Sequence, residues 1–208
     1  MEKLLTIVVP VYNVEKYIKN CLDSLIEISV LRSLEILVVN DGSTDRTLQI
    51  AKTYENKYPY SIKILSKENG GHGSAINYAI PRATGKYFKV LDGDDWVDKS
   101  QLPKFVELLK HTHSDMISND FNLVDDRRKA ASNSYHYNRE WGFAEAVMDP
   151  LVTIHSMTIR TDILQKNDIR VDEHCFYEDQ EYATLPFYGV SSVSFLNLTI
   201  YQYLVGRP

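Results

Sequence analysis

The chain has 208 residues, 44% of them apolar and 25% charged, a globular composition that needs no disulfide or metal staple to support one large domain. The formal net charge of −5, from 23 Lys and Arg against 28 Asp and Glu, argues against a nucleic-acid binder, which carries a basic face; the charge-dense stretch Asp125-Asp126-Arg127-Arg128-Lys129 reads as a solvated loop. Two cysteines, Cys21 and Cys175, make no disulfide framework, no window approaches the roughly 18 apolar residues of a membrane span, and the apolar run at 4–11 is too short for a secretory signal, so the chain is expected to be cytoplasmic.

Residues 4–10 are a continuous apolar run, the pattern of a strand buried on both faces. Val14, Tyr17, Ile18, Cys21, Leu22, Leu25 and Ile26 then recur at spacings of three and four, which predicts an amphipathic helix with Cys21 on its buried face. A second strand is expected at 34–39. The turn Asn40-Asp41-Gly42-Ser43-Thr44 leads into a helix that runs to Tyr58, where Pro59 stops it. A third strand at 62–65 precedes the glycine loop Asn69-Gly70-Gly71-His72-Gly73; Ser74 can cap a helix reaching about Ala83, with Pro81 kinking or shortening it. Residues 86–91 form a fourth strand.

The second half is less regular. It predicts a helix at 102–109, a strand at 116–119, a loop or hairpin at 125–137, a strand at 153–160, a helix at 178–188 interrupted by Pro186, and a strand at 193–196. A soft boundary falls near Asp98, with both halves sharing one core. Asn197-Leu198-Thr199 fits a glycosylation sequon by chance.

Strands alternating with helices imply a parallel sheet with right-handed crossovers, and such sheets bind ligands beyond the carboxyl ends of their strands. Asp41, the glycine loop and Asp92 all fall at those ends. The densest feature is Leu91-Asp92-Gly93-Asp94-Asp95-Trp96-Val97-Asp98, with four carboxylates in seven residues. Two such charges about 4 Å apart repel by roughly 4 kcal/mol at an effective dielectric near 20. A hard divalent cation removes that cost and fills its shell with water and phosphate oxygens. The turn therefore reads as a metal–diphosphate clamp, against the plainer reading in which Asp98 or Ser100 merely caps the next helix. Asp41 could accept a hydrogen bond from a base or ribose, or simply belong to a turn. The glycine loop could present N–H groups to an anion, but it matches neither the P-loop nor the dinucleotide fingerprint. Glu178-Asp179 opens a helix, where acids suit the dipole; the functional reading is a general base.

These segments together resemble family 2 glycosyltransferases, which share the GT-A fold. The resemblance is carried by Thr6-Ile7-Val8-Val9-Pro10-Val11-Tyr12-Asn13, Val38-Val39-Asn40-Asp41-Gly42-Ser43-Thr44-Asp45, Glu68-Asn69-Gly70-Gly71, Gly85-Lys86-Tyr87-Phe88, Leu91-Asp92-Gly93-Asp94-Asp95-Trp96 and Tyr177-Glu178-Asp179. They occur in the family's order, densely over 4–98 and thinly over 99–208. The resemblance implies one α/β unit over 1–208 with a mostly parallel sheet flanked by helices. Residues 1–98 would bind the nucleotide sugar, residues 99–208 would supply acceptor site and base, and the chain would lack a C-terminal extension. Pro10, Tyr12 and Glu15 would line the nucleoside pocket, Asp41 would meet uracil or ribose, and Asn69 would lie against the base, with Gly70 and Gly93 in the same substrate site. Asp92 would reach ribose or metal, Asp94 would bind Mn²⁺ or Mg²⁺ directly, and Asp179 would be the general base of an inverting transfer. The implied partners are a nucleotide-sugar donor, UDP-linked by expectation, and a saccharide or lipid-linked acceptor in bacterial surface-polymer or glycolipid synthesis. Peripheral association with the inner membrane face is compatible with this.

Two departures stand out. Where the family often has Ala-Arg-Asn, this chain has Ala75-Ile76-Asn77, so the diphosphate loses an arginine that His72 or Arg207 would have to replace. The Gln-x-x-Arg-Trp signature of processive members is absent, which implies single additions. Two rival classes fit the sequence less well. A sugar nucleotidyltransferase would want a basic glycine-rich loop after the first strand, where this chain has Val11-Tyr12-Asn13-Val14-Glu15. A non-catalytic nucleotide-binding module would have no use for Asp179.

Overall fold

The computed structural model describes residues 2–125, 130–133, 139–142 and 152–206. The first apolar run becomes β1 (Leu5–Val11), buried along its whole length. Its side chains alternate between two cores, as the period of a strand requires. Leu5, Ile7, Val9 and Val11 pack on one face with Ile18, Cys21, Leu22 and Leu25 of α1 (Ile18–Leu25) and Phe105, Val106 and Leu109 of α4 (Leu102–His111). Val8 points the other way, into a core with Ala75, Ile76 and Ala79 of α3 (His72–Ala79). β2 (Leu34–Asp41) divides its residues in the same manner. Each fully buried Leu, Ile or Phe in these layers contributes about 1.5–3 kcal/mol relative to exposure.

The remaining elements are α2 (Thr47–Lys57), β3 (Ile62–Lys67), β4 (Tyr87–Val90), β5 (Trp96–Val97), β6 (Met116–Val124), β7 (Ala130–Asn133), β8 (Arg139–Gly142), β9 (Met157–Arg160), α5 (Thr161–Lys166), α6 (Glu178–Thr184) and β10 (Ser192–Leu204). They build a single sheet in the order β3-β2-β1-β4-β9-β6-β10-β5, with β7 on β6 and β8 on β10. The β3-β2-β1-β4 part is parallel. β9 runs antiparallel to both β4 and β6, and β10 returns parallel to β6. β1 lies between β2 and β4, so the chain winds outward through β2 and β3 and then crosses to the other side of β1. That reversal leaves a crevice beyond the carboxyl ends of β1 and β4, where ligands bind in open α/β sheets.

Several boundaries differ from expectation. The first helix starts at Ile18, not near Val14; the Val14 N–H donates to Thr47 Oγ1 (2.8 Å) and the Glu15 N–H to Asp45 Oδ2 (3.0 Å), which ties these residues to the start of α2. α3 starts at His72 rather than being capped by Ser74: the Ala75 N–H already bonds Gly71 O (3.2 Å), and Ser74 is buried inside the helix. Pro81 falls in a 3₁₀ turn, Ile80–Arg82, that ends it. The last helix likewise passes into a 3₁₀ turn at Leu185–Gly189, carrying Pro186. The strand expected at 153–160 exists only from Met157, since Ser156 and Met157 N–H both turn back to Thr153 O. α5 was not anticipated. Within the stretch expected to be a loop or hairpin, β7 pairs antiparallel with the end of β6. The 126–129 part of the charge-dense stretch and Arg207 lie outside the described residues.

Candidate active site

At the carboxyl edge of the sheet, Leu91 N–H reaches Val8 O (2.9 Å) and Gly93 N–H reaches Pro10 O (3.2 Å), which lays the acidic turn directly on the end of β1. Gly93 permits that approach: a Cβ there would stand 2.6 Å from Val11 Cγ1 and 2.9 Å from Pro10 O. The turn closes with Asp95 N–H on Asp92 O (3.0 Å). Asp95 is buried and tied to β10, accepting from the Tyr201 hydroxyl (2.6 Å) and Leu204 N–H (2.7 Å). The same Tyr201 oxygen accepts from Asp92 N–H (3.2 Å). Burial, then the charge of Asp92, push the Asp95 carboxyl up to about 8. Burial and both aspartates push the Tyr201 hydroxyl well above its usual range, so it stays a donor.

His155 comes to this cluster from the turn before β9. Its ring stacks on Tyr203 (centroids 4.3 Å apart) and meets the edge of Tyr201 (5.1 Å). Burial, outweighing the nearby Asp92 charge, lowers its pKa and favours the neutral imidazole with a free lone pair. Beneath the turn, the fully buried Lys89 donates to His155 O (2.9 Å), Met157 O (3.2 Å) and Asn119 Oδ1 (3.2 Å), which pins the backbone of His155 to β4. Among the described residues, the groups whose ligand atoms converge are Asp92, Asp95 and His155, all within 4.8 Å of one another. Two carboxylates and an imidazole form a donor set suited to a divalent ion such as Mn²⁺. An ion bound there would offset the repulsion between the Asp92 and Asp95 carboxylates. Asp94, the residue expected to bind metal directly, lines the same cavity but lies outside this convergent trio.

That cavity holds about 270 Å³ and is lined by Pro10, Val14, His72, Asp92, Gly93, Asp94, Ile154, His155, Glu178, Asp179 and Tyr203. Of the sequence-expected residues it thus unites Pro10, Asp92, Gly93, Asp94 and Asp179. Glu178 and Asp179 stand in the first turn of α6, entered through Tyr177 in the left-handed region at φ 71°. His72 spans the gap between the acidic turn and α6, with Nε2 2.7 Å from Asp92 Oδ1 and Nδ1 3.1 Å from Glu178 Oε1. Burial alone would depress its pKa, but Asp92 and Glu178 outweigh that and raise it to about 10, so the ring is an imidazolium. Glu178 is in turn held below its usual range, mainly by the hydrogen bond from His72. Ile76, where the family often has arginine, is fully buried in the core; the cationic group facing the site is His72, one helical turn earlier.

The other expected residues lie outside the cavity lining. Asp41 is buried and its carboxylate accepts from Lys67 Nζ (2.8 Å), Gly70 N–H (3.0 Å) and Gly71 N–H (2.8 Å), while Asn69 Nδ2 donates to Asp41 O (2.9 Å). Asp41 therefore holds the glycine loop in place. Tyr12 is half exposed beyond β1. Glu15 accepts from Arg46 N–H (3.0 Å) and Nε (3.2 Å), contacts that lower its pKa.

A larger cleft of about 570 Å³ opens at the opposite edge, beside Lys3, Arg32, Lys57 and Tyr60. Lys3 there donates to the carbonyls of Arg32, Leu34 and Tyr60, which ties strand starts together, and no carboxylate lines the cleft.

Comparisons with known proteins show the family. A sequence model described as glycosyl transferase family 2 matches residues 6–171. The chain belongs to that family. It is 30% identical over 214 residues to the uncharacterized glycosyltransferase EpsJ of Bacillus subtilis (strain 168), covering 98% of this chain and 61% of EpsJ. It is also 30% identical over 205 residues to the poly(ribitol-phosphate) beta-N-acetylglucosaminyltransferase TarS of Staphylococcus aureus (strain MW2), covering 97% of this chain and 35% of TarS. The crystal structure of S. aureus TarS 1–349 in complex with UDP-GlcNAc superposes with a TM-score of 0.81 at 26% identity, over 99% of this chain and 59% of that one. This family 2 chain thus has the GT-A fold, and it spans from about a third to three fifths of the length of these relatives. Among its described residues no helix is long and apolar enough to cross a membrane.

Proposed function

We propose that this family 2 chain transfers a sugar from a UDP-sugar to an acceptor hydroxyl with inversion, with Asp179 as the general base and a divalent cation at the acidic turn. The observation that carries this reading is that Asp179 and the Asp92–Asp94 turn line one cavity at the strand-order reversal of the sheet. The cavity suits the diphosphate and sugar end of a donor. Pro10, Tyr12 and Glu15 at the end of β1, with Asp41, Asn69 and Gly70 in the adjoining cluster, are our candidates for the nucleoside side.

Asp179 would accept the acceptor's proton as its oxygen attacks the anomeric carbon, which requires the hydroxyl within about 3 Å of the carboxylate. The sugar carbon gains oxocarbenium character as the diphosphate departs. Mn²⁺ or Mg²⁺, when bound, supplies Lewis-acid stabilisation of that leaving group. Asp92 and Asp94 are the ligands we assign from the Asp-x-Asp pattern, with Asp95 and His155 as the alternative completion suggested by their convergence on Asp92. His72 lines the same space. Transfer to a saccharide-type polymer of the bacterial surface is supported by the similarity to TarS and to GgaB, a minor teichoic acid biosynthesis protein of B. subtilis that is 29% identical over 175 residues. An N-acetylhexosamine donor is supported by the UDP-GlcNAc in the TarS structure.

The test is a thermal-shift screen of UDP-, GDP- and dTDP-sugars with Mn²⁺ or with chelator. A donor present at 100 times its dissociation constant should add about 2.7 kcal/mol of stability. UDP-sugars should shift the transition only with metal present; equal shifts with chelator, or none with any UDP-sugar, contradict the reading.

A further inference from the structure

The helix that follows the glycine loop and the segment that carries the base are joined directly. His174 N–H donates to Gly70 O (3.1 Å). Asn77 exchanges two hydrogen bonds with the Val171 backbone, Nδ2 to Val171 O (2.8 Å) and Oδ1 from Val171 N–H (3.0 Å). Gly73 makes this closeness achievable, since a Cβ there would collide with the Asp172 carbonyl oxygen. The far end of the loop is anchored by Asp41 through Gly70 and Gly71. One side chain extends from this braced unit across the cavity mouth. His72 uses one ring nitrogen on Asp92 Oδ1 (2.7 Å) and the other on Glu178 Oε1 (3.1 Å), and Glu178 immediately precedes Asp179.

We infer that His72 is a positioning residue for transfer: by bridging Asp92 and Glu178 it fixes the first turn of α6, and with it Asp179, against the acidic turn. The inference rests on the proposed role of Asp179 as base. A side chain that only stabilised the fold would be indifferent to which kinetic constant changes. A strut that aims the base affects the chemical step, and displacement of a reacting group by about 1 Å can cost up to 10²-fold in rate. His72 and Glu178 should also act as one unit, since residues in one hydrogen-bonded network are not additive.

The experiment measures UDP release from UDP-N-acetylglucosamine at saturating Mn²⁺, with water as the acceptor that takes the sugar and gives its proton to the base, for the wild type, His72→Gln, Glu178→Gln and the double variant, with thermal unfolding followed in parallel. The expected result is a kcat lowered about tenfold or more in each single variant, a donor KM within about twofold of wild type, and a double variant no slower than the slower single one. Unchanged kcat in His72→Gln, a change confined to KM, or losses that multiply in the double variant would overturn the inference. Should His72→Gln fail to fold, Glu178→Gln, which keeps the side chain's shape, carries the same expectation alone. A wild-type chain that releases no UDP from any UDP-sugar overturns the transferase reading and this role together, whereas a competent wild type with an indifferent His72→Gln overturns only this one.

Discussion

Tyr201 donates its hydroxyl hydrogen to Asp95 at 2.6 Å, and through that bond the last strand holds the acidic turn at the mouth of the site. Asp95 is also capped by Leu204 N–H, so a carboxyl group that burial makes costly is satisfied from one strand. The Tyr201→Phe variant keeps the ring but leaves Asp95 short of a donor. A buried acceptor left unpaired costs about 1–3 kcal/mol, and urea denaturation at neutral pH should show a loss in that range. A variant as stable as the parent would mean that Asp95 is satisfied by other groups.

The metal ligands can be apportioned by calorimetry of UDP binding in the presence of Mn²⁺. Asp92→Ala should abolish metal-dependent binding on either assignment. Asp94→Ala is expected to do the same if the Asp-x-Asp pair grips the ion. His155→Ala should weaken binding about 10-fold or more if the convergent trio does, in line with the usual cost of disturbing a metal site. Full retention in Asp94→Ala together with loss in His155→Ala would hand the site to Asp92, Asp95 and His155.

Glu35 gives a pH dependence remote from the site. It is 2% exposed on β2, and accepts from Thr84 N–H (2.7 Å), the Thr6 hydroxyl (2.8 Å) and Lys63 Nζ (3.3 Å). Burial alone would raise its pKa, but these donors together outweigh it and hold the carboxyl below its usual range. With the folded value depressed, the unfolded chain binds the proton more readily. The contribution is therefore complete above the ordinary carboxyl range near 4.3 and is lost as pH falls below it. Glu35→Gln should cost about 1–3 kcal/mol at pH 7, and the gap to the parent should narrow in acid. A gap that stays constant from neutral to acid pH would show that the charge of Glu35 is not what stabilises the fold.

Much of this architecture was legible in the sequence because the first half obeys local rules. β1 and β2 are apolar runs that need cover on both faces, and Asp41 and Asp92 follow their strands so closely that placing the strands places the carboxylates. His155 was not legible. It sits in a stretch that reads as strand, and it reaches the site only because β9 runs antiparallel to β4, which brings the start of β9 to the edge where β4 ends. Strand direction is set by tertiary pairing, and no periodicity reveals it. Tyr201 and Tyr203 were hidden for the same reason, at the far end of a strand expected to stop at Leu196. The nearest signal for His155 is a lone imidazole between the apolar residues Ile154 and Met157. The expectation that Asp41 faces the nucleotide came without its local geometry: Lys67 and the glycine-loop amides already occupy its carboxylate.

Asp179, as the proposed base, would remove the acceptor's proton in a cavity it shares with the acidic turn. The most direct measurement compares Asp179→Asn with the parent in both UDP–Mn²⁺ affinity and sugar transfer. Unchanged affinity and a loss of turnover of roughly 10²-fold or more are expected. Near-normal turnover in Asp179→Asn, with the protein folded and donor bound, would contradict that role.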